Sequence, residues 1–253
     1  MAKQIDILAF VQLLRATVLP AAVREFNEVV APARFSKRPR AEEPLPLGRR
    51  QLSSYRTRLG TMLEYSLSSL IHRGLRSAGF DDHRLTFVSA HQYPDFIWRS
   101  ADNRRIFRFE MKAVDAESDE HAARFDAPTN LIAPDQDVLL LLAWKWHSET
   151  KGEYPVIFST CCIAATELAH ERDLRLVKTG GRIDGDTVLV PSSRIIGKMV
   201  PDPGNYGKLW RIIPKERIAK GQLSPGAQEF VRFLRELDAS ATRKRFRPAE
   251  HPS

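Results

Sequence analysis

Tyr93-Pro94-Asp95-Phe96-Ile97-Trp98, a polar turn at residues 100–105, then Ile106-Phe107-Arg108-Phe109-Glu110-Met111-Lys112-Ala113-Val114 is the stretch whose reading decides the fold. Two runs of aromatic and β-branched residues flank a segment rich in turn formers, which predicts a β-hairpin. Strand side chains alternate between faces, so Phe107, Phe109, Met111 and Ala113 form one apolar face. Arg108, Glu110 and Lys112 then point the other way, and the hairpin brings Asp95 close to them. Two carboxylates and an ammonium on one side of a sheet predict a site for a divalent metal and a water molecule.

The flanking sequence supplies layers for that hairpin. Residues 53–80 carry Leu59, Met62, Leu63, Leu67, Leu70, Ile71, Leu75 and Ala78 at helical spacing, with Gly79 as a stop. Glu64 lies at the edge of this stripe, where a helix presents an acid to a site beside the sheet it covers. Residues 85–90 predict a strand. Residues 115–125 are polar and acidic, and 126–134 read as a loop with a short helix. The run Val138-Leu139-Leu140-Leu141-Leu142, inside 137–147, suits a strand buried on both faces. Residues 154–164 predict another strand and 165–175 a helix. The alternation predicts an α/β protein with a central mixed β-sheet flanked by helices.

Both ends differ in character. Residues 5–30 predict one or two helices that Pro20 breaks or kinks. Residues 31–50 alternate prolines with Arg34, Lys37, Arg38, Arg40, Arg49 and Arg50, as either a solvated linker or an arm that follows phosphates. In the last third, residues 188–190, 194–200 and 209–214 predict short strands and 222–237 a helix, before the basic tail Arg243-Lys244-Arg245-Phe246-Arg247. The chain divides into N-terminal helices with a basic connection (1–52), a core (53–178) and a C-terminal β-rich elaboration (179–253), which together could form one continuous domain.

Composition narrows the partners. The chain has 253 residues, a formal net charge of +8, 43% hydrophobic and 28% charged residues, values that suit a soluble globular protein with a polyanionic partner. Nucleic acid leads, ahead of an acidic membrane surface. Cys161 and Cys162 are the only cysteines; the lack of a Cys-x-x-Cys or Cys/His cluster argues against zinc, and two buried thiols suit a reducing, cytoplasmic location. No signal-peptide pattern opens the sequence, and the apolar run at 138–146 is too short to span a bilayer as a helix. The seven histidines are scattered without ligand spacing, and no phosphate-binding glycine loop is present, so nothing predicts a nucleotide-driven motor.

Phosphodiester hydrolysis needs a positioned water, removal of its proton and stabilisation of charge at phosphorus. Asp95 and Glu110 offer hard oxygen ligands, the Met111 backbone carbonyl a third, and Glu64 one more, directly or through water. Mg²⁺ keeps several waters and borrows substrate oxygens, so this set suffices. Lys112 is placed to orient the water or meet developing charge. Arg108 on the same face could meet a phosphate or neutralise Glu110. Against this, Glu110 and Lys112 could be a simple ion pair at a solvated sheet edge, and Asp95 a strand or turn start.

Pro94-Asp95 followed by Glu110-Met111-Lys112 resembles the Pro-Asp…(Asp/Glu)-x-Lys motif of the restriction-endonuclease-like nuclease superfamily, and the order of elements over residues 55–175 is similar too. The resemblance implies a Mg²⁺-dependent nuclease with Asp95, Glu110 and Lys112 in metal and water roles. Most similar would be a type II restriction endonuclease acting on double-stranded DNA as a homodimer, leaving 5′-phosphate and 3′-hydroxyl ends. A repair, resolvase or modification-dependent nuclease of the same fold is the alternative, as is a nucleic-acid-binding protein that does not cut. Arg194, Lys198, Lys208 and Arg211 could contact DNA or form a solvated basic face.

Overall fold

The strand Asp137–Glu149 sits at the heart of the protein, with Val138 to Ala143 all at 0% exposure. The computed structural model describes residues 5–35, 49–88, 93–117, 123–149 and 152–240. Five strands form the central sheet: β1 (His83–Phe87), β2 (Phe96–Ser100), β3 (Ile106–Asp115), β4 (Asp137–Glu149) and β5 (Gly152–Ala164), in that spatial order. The first three make an antiparallel meander, β3 and β4 run parallel, and β4–β5 is antiparallel. The protein is therefore α/β with a mixed five-stranded sheet flanked by helices. A parallel pair cannot be closed by a tight turn, which accounts for the long connection between Asp115 and Asp137.

The two faces of the sheet make two cores. On one side, Phe107, Phe109, Met111, Leu140, Leu142, Trp144 and Cys162 meet α1 (Ile7–Arg34) and α2 (Arg49–Ser77). On the other, Leu139, Leu141, Ala143, Cys161 and Ile163 meet α3 (Ala165–Lys178), the short α4 (Leu209–Ile212) and α6 (Pro225–Ser240), with α5 (Lys215–Ala219) between the last two. The neighbouring cysteines thus face opposite cores as free thiols. The N-terminal helix and the C-terminal helix both contribute to these cores.

Of the two alternatives, one helix or two, α1 is one: Pro20 does not break it. The helix widens to five-residue hydrogen bonding over Leu14–Val18 and again over Phe26–Val30, each time just before a Leu-Pro or Ala-Pro pair. Leu19 N–H donates to Leu14 and Ala31 N–H to Phe26. Proline lacks an N–H and its ring collides with the carbonyl four residues back, and the wider turn ahead of each proline relieves this. By length and composition α1 could cross a membrane. In this fold its Phe10, Leu14, Val18 and Phe26 are buried, and Phe10 stacks on Phe107 with ring centroids 3.8 Å apart. Asn27 of α1 also seals the outer edge of β5: its amide donates to Ile157 O (2.7 Å) and accepts from Ile157 N–H (2.9 Å).

A second sheet is small: β6 (Arg182–Asp184), β7 (Thr187–Pro191) and β8 (Met199–Pro201), all antiparallel. Two expectations fail here. Of residues 194–200 only Met199 and Val200 are in a strand, because residues 192–198 form a turn tied by Ser192. Residues 209–214 are not a strand; Leu209 and Ile212, both at 0% exposure, are three apart and pack one face of the helical turn α4. The short helix expected in 126–134 is a 3-10 turn at Thr129–Leu131. Most of the basic connection (36–48), the end of the strand expected over 85–90 (89–90) and the basic tail at 241–253 lie outside the described residues.

Candidate active site

The site forms where β3 outruns its neighbour. β2 begins at Phe96, opposite Phe109, so beyond Glu110 the β2-facing edge of β3 has no strand partner. Even-numbered residues of β3 turn their N–H groups to the β4 side, as Arg108 N–H does in donating to Gln136 O (2.9 Å). Met111 and Ala113 therefore turn theirs to the open edge, and two carboxylates replace the absent strand. Asp95 accepts from Met111 N–H at 2.8 Å and Glu64 from Ala113 N–H at 2.8 Å. The same geometry directs the Met111 carbonyl to this edge.

Helix α2 brings Glu64 there because Arg56, Gly60 and Glu64 share one stripe, each a turn from the next. Arg56 pairs with the buried Asp115 at 2.8 Å. Gly60 lies over Ala113, where an added Cβ would make an ordinary van der Waals contact at 3.6 Å with the Ala113 Cβ. The Arg56–Asp115 pair ties the helix to β3, and Glu64 reaches the strand two turns further on.

Lys112 lies among the carboxylates. Its Nζ is 2.6 Å from Glu110 and 3.6 Å from Asp95. The structure thus gathers all four side chains that the sequence singled out, Asp95, Glu110, Lys112 and Glu64. With all three carboxyls ionised, the cluster would carry an excess of two negative charges over the Lys112 ammonium in a largely buried setting. The electrostatics register this. Burial pushes the Glu64 carboxyl up to about 7, against the pull of Lys112, with Asp95 and Glu110 adding to the rise. Burial likewise pushes Glu110 up to about 7, opposed by Lys112 and reinforced by Asp95. Burial disfavours the Lys112 ammonium, but Glu110 and Asp95 outweigh it and hold its pKa above the ordinary value. Such perturbed groups concentrate where chemistry is done, although structural ion pairs also produce them.

Among the described residues, no group of three or more His, Cys, Asp or Glu side chains forms a ready-made ion cage. The donor set nonetheless fits Mg²⁺, which binds through one or two carboxylates and retains water. Glu110 Oε2 is buried without a hydrogen-bond partner among the described residues, a vacant hard-oxygen donor at the centre of the cluster. A dication also matches the charge excess.

Arg108 pairs with Asp137 and not with Glu110. Its guanidinium donates two hydrogen bonds to the buried Asp137, Nε to Oδ1 and Nη2 to Oδ2, both at 2.5 Å, and one to Leu131 O at 2.7 Å. Tyr93 O–H joins the same carboxylate at 2.5 Å, so this trio anchors the start of β3 rather than the substrate. The sequence reading missed Asp126, an exposed carboxylate whose charge helps raise the Glu110 pKa and which is therefore a neighbour of the site. Nothing local marks it; Gly207 packs against it from the loop after β8. Of the four basic residues read as possible DNA contacts, Lys208 is buried and donates to Asn205 at 2.7 Å, with Arg211 on the same oxygen at 3.4 Å. Arg194 and Lys198 are exposed. His83 is buried and stacked on Trp98, while His91, His121 and His251 lie outside the described residues.

Searches against protein-family models and curated proteins find no match to this chain.

Proposed function

We propose that the protein is a Mg²⁺-dependent endonuclease of the restriction-endonuclease-like kind, hydrolysing phosphodiester bonds of double-stranded DNA. The observation that carries this reading is the convergence of Asp95, Glu64 and Glu110 around Lys112 at the open edge of β3. Asp95, Glu110 and the Met111 carbonyl would hold the ion, with Glu64 reaching it directly or through water. Bound there, Mg²⁺ would supply charge stabilisation at phosphorus and a more acidic water. Lys112 orients the attacking water through its ammonium protons and offsets charge that accumulates on the phosphate oxygens. Burial pushes the Glu110 carboxyl up to about 7 in the metal-free site, and a bound cation would favour its ionised, ligating form. The net charge of +8 favours the polyanionic substrate. Cutting both strands would place two copies of the chain on one duplex, as a homodimer.

A second reading rests on the 2.6 Å Lys112–Glu110 contact, which neutralises part of the cluster internally. It makes the protein a DNA binder that does not cut. Incubating the protein with long DNA of varied sequence, with and without Mg²⁺, and sequencing the ends separates the possibilities. Fragments sharing a cut sequence support a restriction enzyme. A smear favours non-specific degradation, and a requirement for branched or methylated DNA favours a repair, resolvase or modification-dependent nuclease. Intact DNA that is still bound favours the non-cutting protein.

A further inference from the structure

The most exposed large hydrophobic residue among the described ones is Ile196, at 103%, next to Ile195 at 52%. Both stand at the tip of the β7–β8 hairpin, and that tip is rigidly built. Ser192 Oγ accepts from Arg194 N–H (3.2 Å) and Ile195 N–H (3.1 Å), while Ser192 N–H donates to Lys198 O at 2.8 Å. Lys198 N–H then donates to Ile195 O at 3.3 Å, closing a four-residue turn with Gly197 third at φ +75°. A positive φ at that place is what a type II turn demands and glycine supplies. Turn tips ordinarily carry polar residues. Here the apex is an isoleucine whose side chain touches solvent on every side, held in place by a hydroxyl and a glycine.

The charge around the tip selects its partner. Arg194 and Lys198 flank the isoleucine pair, both are exposed, and neither makes an ion pair with a described residue. The acidic residues of this small sheet, Asp184 and Asp186, sit at its other turn around Gly185. The sheet is thus polarised, with a cationic and apolar end and an anionic one. β8 leads directly into the loop at 202–208, whose Gly207 packs on Asp126.

We propose that this hairpin is a wedge for duplex DNA: Ile196, supported by Ile195, enters between base steps while Arg194 and Lys198 hold the flanking phosphates. Apolar side chains inserted this way unstack the step and kink the duplex. The pre-formed turn removes most of the ordering cost. The choice of duplex as partner rests on the nuclease reading, but the wedge concerns binding and not hydrolysis.

The test uses the full-length protein without Mg²⁺ and a duplex bearing 2-aminopurine, whose fluorescence rises on unstacking. The wild type is expected to raise the fluorescence on binding. Ile195→Ser/Ile196→Ser is expected to abolish the rise and weaken binding by about tenfold or more, since burying one isoleucine side chain accounts for that much. Ile196→Phe should retain both. Arg194→Gln/Lys198→Gln should lower the slope of log affinity against log salt by about 2. Because these side chains are exposed, unchanged thermal unfolding controls for folding. Wild-type binding with no fluorescence rise, or an unaltered rise in the double serine variant, overturns the wedge. So does binding to vesicles with anionic headgroups, or a change of oligomeric state, that depends on the isoleucines while DNA binding does not. DNA bound and unstacked but never cut with Mg²⁺ leaves the wedge standing and removes the nuclease.

Discussion

Replacing Lys112 with methionine removes the ammonium that stands among Asp95, Glu64 and Glu110 and keeps most of the side chain's apolar stem. Its ammonium lies 2.6 Å from Glu110, whose side chain is 10% exposed, and 3.6 Å from Asp95, at 32%. Removing one partner of a buried pair costs about 3–5 kcal/mol. The partial exposure of Lys112 and Asp95 lowers this to roughly 2–3 kcal/mol at pH 8. In a chain of this size that is a fall in Tm of about 5–10 °C. The pH dependence is the sharper test. Glu64 and Glu110 have folded-state pKa values near 7, above their ordinary 4.5. Between those values the folded state holds more protons than the unfolded chain, so stability falls as pH rises. Without Lys112 both carboxyls move further up, and the fall becomes steeper and continues above pH 7. Urea unfolding followed by circular dichroism should show Lys112→Met close to wild type at pH 5 and well below it at pH 8, with Mg²⁺ returning part of the difference. An equal loss at both pH values would refute the reasoning, because it would mean that lost packing, and not uncompensated carboxylate charge, is the cost.

Glu64→Gln keeps the acceptor for Ala113 N–H but removes a charge that burial opposes. It should raise stability above pH 7 by up to about 3 kcal/mol and flatten the pH profile, while lowering the Mg²⁺ dependence of unfolding. Asn27→Ala deletes both bonds to Ile157 and leaves the edge of β5 unsatisfied; urea denaturation should report a loss of about 2 kcal/mol, with faster amide exchange at Ile157.

Much of the central fold is legible in the sequence because each element there obeys a single local rule. The Val138–Leu142 run is apolar at every position, and all five side chains are fully buried. The alternation in β3 assigns Phe107, Phe109 and Met111 to one core, and Glu110 and Lys112 to the other face. Glu64 is legible as a border residue of an amphipathic helix. What the local pattern cannot carry is the register between elements. That Met111 and Ala113 lack a strand partner follows from where β2 starts, and only the assembled sheet shows carboxylates filling the gap. Arg108 looked free until the fold set Asp137 beside it. The charge of Asp126 reaches Glu110 from a long connection, and residues 209–214 read as strand because Leu209, Trp210, Ile212 and Ile213 make a short apolar run, which periodicity alone does not separate from a buried helical turn.

The central claim is that the cluster at the open edge of β3 cuts phosphodiester bonds with Mg²⁺. The most direct measurement is strand cleavage of duplex DNA by the wild type, Asp95→Ala and Lys112→Ala, each shown to be folded, across a Mg²⁺ titration with the product ends identified. The account predicts Mg²⁺-dependent products with 5′-phosphate and 3′-hydroxyl ends from the wild type and none from either variant. Undiminished cleavage by both folded variants, or no cleavage by the wild type at any Mg²⁺ concentration, would contradict it.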